Sequence, residues 1–493
     1  MEFQSFSLFI FLIFLLQSLL SFLMKRQKPE KLPPCPRKLP LLGNLHQISD
    51  SLHLSLHHLA NRHGSLMLLQ LGSVPTLVVS SAQIIQDIFN HHDLIFFGRP
   101  PLYVAKRLFY NFSSISFVPY GEYWREVRKI VVSELLSMKR VQSFKHVRAY
   151  EVNKMLNSVI GSQTPVNISK VILSFTNNLI CHIAFGKQDD GLHRFHNILY
   201  ETQQLMGEVN IADFFPWLSW VNKFNGVDAR LEKNFKEFDT FFDQVIEEHR
   251  DPSRLKLDHR EDIIDILLRV QKDQTQSVRL TNCQIKGVLL DIFIAGTDTS
   301  AATIVWTIVE LIKNSEVMRR AQNEIIDIAR GKENIEESDL PKFSYLNLVL
   351  KESFRLHPPV PLLVPRETTQ ACKINGYEIP AKTRILINAR AIARDPLYWK
   401  DPNSFKPERF FYSSVDFRGH DYELIPFGIG RRSCPGINFA VLTIELALAN
   451  LLHCFDWKLP HGITREDVDM VEAVGLTVHK KTPLLLVATP RPR

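Results

Sequence analysis

The segment LLDIFIAGTDTSAATIVWTIVELI constrains the fold more than any other part of the chain. Apolar residues occupy almost every turn of it, and the helical run around it extends from about Thr281 to Lys313, about 50 Å at 1.5 Å per residue. A helix so long crosses the whole domain. It is also interrupted. Ala295 and Gly296 remove side-chain bulk at mid-helix, and Thr299, four residues after Ala295, can bond the Ala295 carbonyl and open the helical ladder. A gap of that kind can hold dioxygen and water, with Asp298 and Thr299 as proton carriers. On these residues alone, a polar notch in a core helix explains the segment equally well.

Composition narrows the class. Apolar residues make up 45% and charged residues 23% of the 493, the profile of a folded chain with a large core and not of a disordered one. The net charge of +7 is spread along the sequence without a basic arm or stripe, which argues against nucleic acid and for an anionic membrane surface or an acidic protein partner. Six scattered cysteines, none in a C-x-x-C pair, fit a reducing compartment. Helical periodicity recurs from about residue 50, as in Phe235 to His249 and Ile263 to Val270, with short β-branched runs such as Thr76 to Val79. The body is therefore expected to be mainly α.

The N-terminus carries a second long apolar run, Phe6 to Met24, uncharged and able as a helix to cross a hydrocarbon layer of about 30 Å. It lacks a basic region before it and is followed by Lys25, Arg26 and Lys28 instead of a cleavage site, so it reads as a retained anchor. The positive flank places the rest of the chain in the cytosol. The acceptor triplets starting at Asn111 and Asn167 are then expected to stay unmodified. Pro33, Pro34, Pro36 and Pro40 stiffen the stretch that follows. The expected organisation is an anchor over residues 1–24, a proline-rich hinge over 25–45 and a catalytic body over 46–493, with no second span.

The most informative chemistry lies in PFGIGRRSCPG, residues 426–436, just before an apolar helix from about Ile437 to Leu452. A cysteine at the mouth of a helix meets unpaired N–H groups and the positive dipole end, which favour thiolate. A thiolate is a strong ligand for haem iron. Gly428, Gly430 and Gly436 let backbone approach a flat macrocycle, Phe427 can shield the sulfur, and Arg432 can pair a propionate. An ordinary buried cysteine is the plain alternative for Cys434. A dinucleotide loop is not: Ser433 stands where the third glycine would be. In KESFRLHPP, Glu352 and Arg355 share a helical face that His357 and Pro358 terminate, with His357 read as a terminator or surface residue; a lone E-x-x-R is commonly a surface ion pair.

Taken together these motifs resemble the cytochrome P-450 superfamily. The cysteine loop matches F-x-x-G-x-R-x-C-x-G at every defined position, AGTDTS matches [A/G]-G-x-[D/E]-T-[T/S], and E-x-x-R is followed by P-E-R-F at Pro407 to Phe410. Trp124 and Arg128 match W-x-x-x-R, and Arg366 in LLVPRET stands where relatives offer a basic group. KESFRLHPPVPLLVPRET, INGYEIPAKT and FIAGTDTS are most similar to the plant A-type group, family seventy-one. One departure is Cys35, which replaces the glycine of the usual P-P-G-P hinge.

The resemblance implies a mainly α fold with a small β-sheet region, preceded by one transmembrane helix, and haem b held between the long helix and the cysteine loop. Cys434 would be the iron ligand. Arg432, Trp124, Arg128 and Arg366 would face the propionates, with Phe427, Gly430 and Gly436 shaping the loop, and Asp298 and Thr299 would activate dioxygen. Glu352, Arg355 and Arg409 would form a structural charge triad. Electrons would come from NADPH through a flavoprotein reductase docked near Arg125, Lys129, Lys139, Arg140 and Arg431, at the endoplasmic reticulum membrane. The expected reaction is oxidation, by default hydroxylation, of a small apolar plant metabolite of the terpenoid or alkaloid class. The expected pocket draws on residues 102–117, 205–217, 292–303, 360–364 and 474–476, although Phe214, Phe215 and Trp217 could instead touch the bilayer. Rearrangement or aldoxime dehydration without oxygen insertion is the competing chemistry, and a non-catalytic haem sensor the competing class.

Overall fold

The computed structural model describes residues 31–162, 165–186, 192–251, 261–273 and 279–491. The expected anchor over 1–24 and the first residues of the hinge lie outside them. The elements that frame the site are α1 (Leu52–His63), β1 (Leu66–Leu71), β2 (Val74–Val79), α2 (Glu122–Ile130), α3 (Lys145–Ile160), α4 (Ile168–Phe185), α5 (Val227–Arg250), α6 (Asn282–Lys313), α7 (Ser315–Ala329), α8 (Ser344–Leu356), β3 (Arg366–Glu367), β4 (Arg384–Ile387) and α9 (Ile437–Cys454).

The long helix anticipated from the apolar run is α6, 32 residues long. Its start is set by a reciprocal cap: Thr281 Oγ1 accepts from the Gln284 backbone N–H, and Gln284 Oε1 accepts from the Thr281 N–H at 2.8 Å. It packs along α4 and against α8 and α9, so that residues on all its faces are buried, from Ile285 and Leu289 through Phe293 to Ile308 and Leu311. Among the described residues three helices, α4, α6 and α9, are long and apolar enough to cross a membrane, yet more than half of each such stretch is buried in the body. Their apolar surface is core.

The small sheet has the order β1-β2-β4-β3. β2 pairs antiparallel with β1 and parallel with β4, Thr76 opposite Arg384 and Val79 opposite Ile387, while β3 pairs antiparallel with β4. Its β-branched residues supply a second apolar cluster, with Leu77, Val79, Ile385 and Ile387 buried. The short β3 pairing puts Arg366 at the edge of the sheet nearest the cysteine loop.

Behind the cysteine loop, Glu352 and Arg355 meet on one face of α8. Arg355 donates to both carboxylate oxygens of Glu352 at 2.7 and 2.8 Å, and Arg409 Nε donates to the same carboxylate at 3.0 Å. Remaining Arg355 donors reach the carbonyls of Ala393, Pro402 and Ser404. This pair is no surface ion pair: both side chains are fully buried. It ties α8 to the turn Pro407–Phe410. His357 does terminate α8, but it is not a surface residue. Its ring stacks flat on Trp306, 4.4 Å between centroids, and Nε2 bonds Glu310 at 2.7 Å.

Candidate active site

The cysteine loop is a tight turn that ends at the first residues of α9. Cys434 N–H donates to the Phe427 carbonyl at 2.8 Å, closing the loop on itself. Gly430 sits at φ +68°, and a Cβ there would meet the Phe89 ring at 2.8 Å and Asp93 at 2.9 Å. Its necessity therefore comes from packing against its neighbours, and it does not border the cavity, contrary to the macrocycle approach expected for it. Phe427 does border it, braced by Phe354 at 5.0 Å between ring centroids. Gly436 caps α9, whose first residue is Ile437.

Between this loop and the middle of α6 lies a cavity of about 260 Å³. Cys434, Ala295, Gly296 and Thr299 all border it. Burial pushes the Cys434 thiol above its ordinary pKa, opposed by the Gly436 backbone and the Arg128 charge. At mid-α6 the anticipated bond is present, Thr299 Oγ1 donating to the Ala295 carbonyl at 2.6 Å, while the helix runs unbroken from Asn282 to Lys313. Gly296 packs closely, since a Cβ would meet the end of the Ile180 side chain at 2.9 Å and push it aside. Asp298, one position along the helix, does not border the cavity; its carboxylate bonds His479 Nε2 at 2.6 Å.

Four arginines gather on its lining. Arg128 donates to the Ser433 carbonyl, Arg366 to Ile429, Arg432 to Phe97 and Val118, and Arg99 to Ser116, Val364 and Pro365. All four border the cavity, and among the described residues none forms an ion pair. Desolvation lowers each of them, Arg366 to about 10 and Arg432 to about 9, and for Arg432 the charges of Arg366 and Arg128 add to it. Arg432 lies over the Phe97 and Trp124 rings at 4.7 and 5.0 Å. Arg366 Nη1 and Trp124 Nε1 are buried donors with no acceptor. Unpaired buried charge costs several kcal/mol per ion, roughly, unless an opposite charge arrives.

Three residues with chemistry here were not singled out from the sequence. Arg99, in FGRPP, gives no local signal. Asp291 borders the cavity, accepts from the Ser116 N–H at 3.2 Å, and is raised to about 6 by burial; its spacing of four from Ala295 and eight from Thr299 puts it on their face of α6, a usable signal. His479 has none. Of the expected pocket segments, 102–117, 292–303 and 360–364 contribute Ile115, Ser116, Ile292, Thr303, Val360 and Val364, whereas 205–217 and 474–476 contribute nothing. Trp217 and Val474 point outward, 62% and 60% exposed. Lining residues also come from unanticipated places, such as Leu135, Phe144 and Ile183.

Comparison with known proteins agrees with this geometry. The cytochrome P450 family model matches residues 33–487. The chain is 54% identical to cytochrome P450 71A9 of Glycine max, over 99% of each chain. It is equally 54% identical to strychnine-11-hydroxylase of Strychnos nux-vomica, over 99% of this chain and 98% of that one. A zebrafish cytochrome P450 solved with progesterone superposes with a TM-score of 0.76 at 25% identity, covering 89% of this chain and 99% of that one. The chain belongs to the cytochrome P450 family. It is a monooxygenase of the haem-containing kind, and its similarity is to the plant members of family 71.

Proposed function

We propose that this chain is an NADPH- and dioxygen-dependent monooxygenase that oxidises a small apolar plant specialised metabolite, of the alkaloid or terpenoid class, with haem b bound through Cys434. The observation that carries the reading is a cavity bordered by Cys434 from the cysteine loop and by Thr299 from α6, with Arg99, Arg128, Arg366 and Arg432 also on its lining. Four arginines on one lining, with the buried Arg366 Nη1 and Trp124 indole N–H lacking acceptors among the described residues, fit a flat group bearing two carboxylates, and a cysteine on the same lining fits its metal. Relatives named strychnine-11-hydroxylase and norfluorocurarine oxidase support the alkaloid class.

Haem, once bound, supplies dioxygen activation. The chain's own residues do the rest. Arg366, Arg432 and the indole N–H of Trp124 hold the carboxylates, Phe427 covers the sulfur, and Arg128 supplies positive charge beside it. The Thr299 hydroxyl, held by Ala295, offers a proton at the cavity wall, and Asp298 stands next to it as its source. The buried Glu352–Arg355–Arg409 triad keeps the chain behind the loop in place. The apolar walls, including Ile115, Ile292 and Val364, exclude water and select an apolar substrate.

Organisation follows the same reading: an anchor over 1–24, a hinge over 25–45 and a catalytic body over 46–493, single-pass in the endoplasmic reticulum membrane with the body cytosolic. Trp217, Trp220 and Phe224 project from one short stretch, Phe224 81% exposed, and would rest on the bilayer. A reductase would dock on the basic face near Lys129 and Lys139; Arg140 and Arg431 there also pair with Glu261 and Asp93.

The test is the difference spectrum of the dithionite-reduced, carbon-monoxide-bound protein, wild type beside Cys434→Ser. A long-wavelength Soret band of thiolate ligation in the wild type only is the expected result, and its absence from a folded wild type would sink the reading. Products that form without dioxygen and NADPH would favour rearrangement or dehydration instead.

A further inference from the structure

Asp298 and Thr299 are adjacent in sequence, yet about 100° apart around α6. The hydroxyl faces the cavity, and the carboxylate faces His479 on another side of the helix. His479 is held there by its backbone. It lies at the base of a hairpin closed by Lys481 N–H to the Val471 carbonyl and by Ala473 N–H to the His479 carbonyl, both 2.8 Å. The preceding residue is fastened on two sides: Trp306 Nε1 of α6 donates to the Val478 carbonyl at 3.0 Å, and the Val478 N–H donates to Pro359 at 2.9 Å. The backbone that carries the ring is therefore fixed beside α6, and the ring's side-chain bond is to Asp298.

Exposure differs across the pair. The Asp298 side chain is 12% exposed and that of His479 32%, so the ring is the more open of the two to solvent. Other charged groups nearby are engaged elsewhere. On the hairpin, Glu472 is turned to His53 and Arg390, Lys480 to Asp469, and Lys481 is exposed; on the packed segment after α8, His357 is bonded to Glu310. Burial lowers the ring's pKa, but the hydrogen bond and charge of Asp298 outweigh it and leave the ring above an ordinary histidine.

We propose that His479 is a positioning residue for proton delivery: it holds the Asp298 carboxylate off the cavity and reloads it with protons drawn from solvent. The inference rests on the proton-carrying role proposed above for Asp298 and Thr299. The bookkeeping is closed. The imidazolium gives its Nε2 proton to Asp298 Oδ1, the neutral carboxyl loses its hold on the ring and can turn toward Thr299, and the imidazole recovers one proton from water.

The experiment uses the full-length haem-loaded protein with reductase and no added substrate, reading hydrogen peroxide released per NADPH consumed across pH, for wild type, His479→Gln, His479→Arg and Asp298→Asn. A second reading without turnover is the denaturation midpoint across the same pH range. Because the folded-state pKa of His479 is raised, its stabilisation is present below the ordinary histidine pKa and lost as pH rises through the folded value. In wild type, peroxide yield and midpoint are expected to inflect together. His479→Gln should lose both inflections and release more peroxide; His479→Arg should hold the carboxylate at all pH, keeping the midpoint high while the peroxide inflection disappears. A His479→Gln protein that keeps the wild-type peroxide profile overturns the inference. An Asp298→Asn protein with unchanged peroxide yield overturns the reading beneath it, and a changed Asp298→Asn beside an unchanged His479→Gln overturns the inference alone.

Discussion

Arg355 and Glu352 are joined by two parallel bonds of 2.7 and 2.8 Å in a place that water does not reach, and Arg409 shares the same carboxylate. Removing one member strands a buried charge, which costs about 3–5 kcal/mol. Glu352→Ala or Arg355→Ala is therefore expected to lower the urea midpoint sharply and to yield protein without haem absorbance, measurable in the same preparation. Arg409→Ala, whose other donors serve loop carbonyls, should cost less. Equal losses for all three would contradict the geometry.

Thr299→Ala removes the hydroxyl held by Ala295 without disturbing the cysteine loop. Haem content and the reduced carbon-monoxide spectrum should match wild type, while peroxide per NADPH rises and proton-dependent turnover falls by as much as about 100-fold, the lower end of what a positioned proton donor contributes. Unchanged peroxide yield would remove Thr299 from the mechanism.

The long helix α6, the Thr299 bond to Ala295 and the cysteine loop were legible in the sequence because each is encoded in neighbouring residues. Helical burial is written in apolar spacing, and a thiolate loop in glycines next to a cysteine. What escaped notice depends on distant partners. Asp298 and His479 are separated by 181 positions, and Arg99 reaches a carbonyl 265 positions away; no local pattern distinguishes such side chains from surface ones. The pocket segments misjudged, 205–217 and 474–476, are apolar enough to line a cavity, but apolarity does not say which way a loop faces.

The arginine cluster gives a graded expectation. Arg432 is lowered to about 9 and Arg366 to about 10 by burial, and both bond only carbonyls. Replacing Arg432 or Arg366 by Gln should relieve this strain in haem-free protein, raising its thermal midpoint, and weaken haem retention, read as faster transfer of haem to an acceptor globin. A variant that loses stability in the haem-free form and holds haem normally would show that these arginines serve the fold instead.

Asp291 sets a pH dependence opposite in sign to that of most carboxylates. Its folded pKa is raised to about 6 by burial, so the folded state binds its proton more tightly than the unfolded chain does. Stability is then highest below the ordinary aspartate pKa and declines as pH rises toward 6, by on the order of 3 kcal/mol. Denaturant midpoints measured across that interval should fall in the wild type and stay flatter in Asp291→Asn. Parallel curves would mean that the Ser116 contacts already compensate the buried charge.

The four arginines also bear on the life of the chain before it is finished. A body that closes around four like charges, opposed only in part by Asp291 and Asp93, repels itself from within, and a dianionic pigment would relieve that repulsion. Assembly would thereby become conditional: newly made chains would compete for the cofactor, and those that miss it would pack more loosely and be cut faster by protease. Abundance of the enzyme in a plant cell would then track pigment synthesis as closely as transcription.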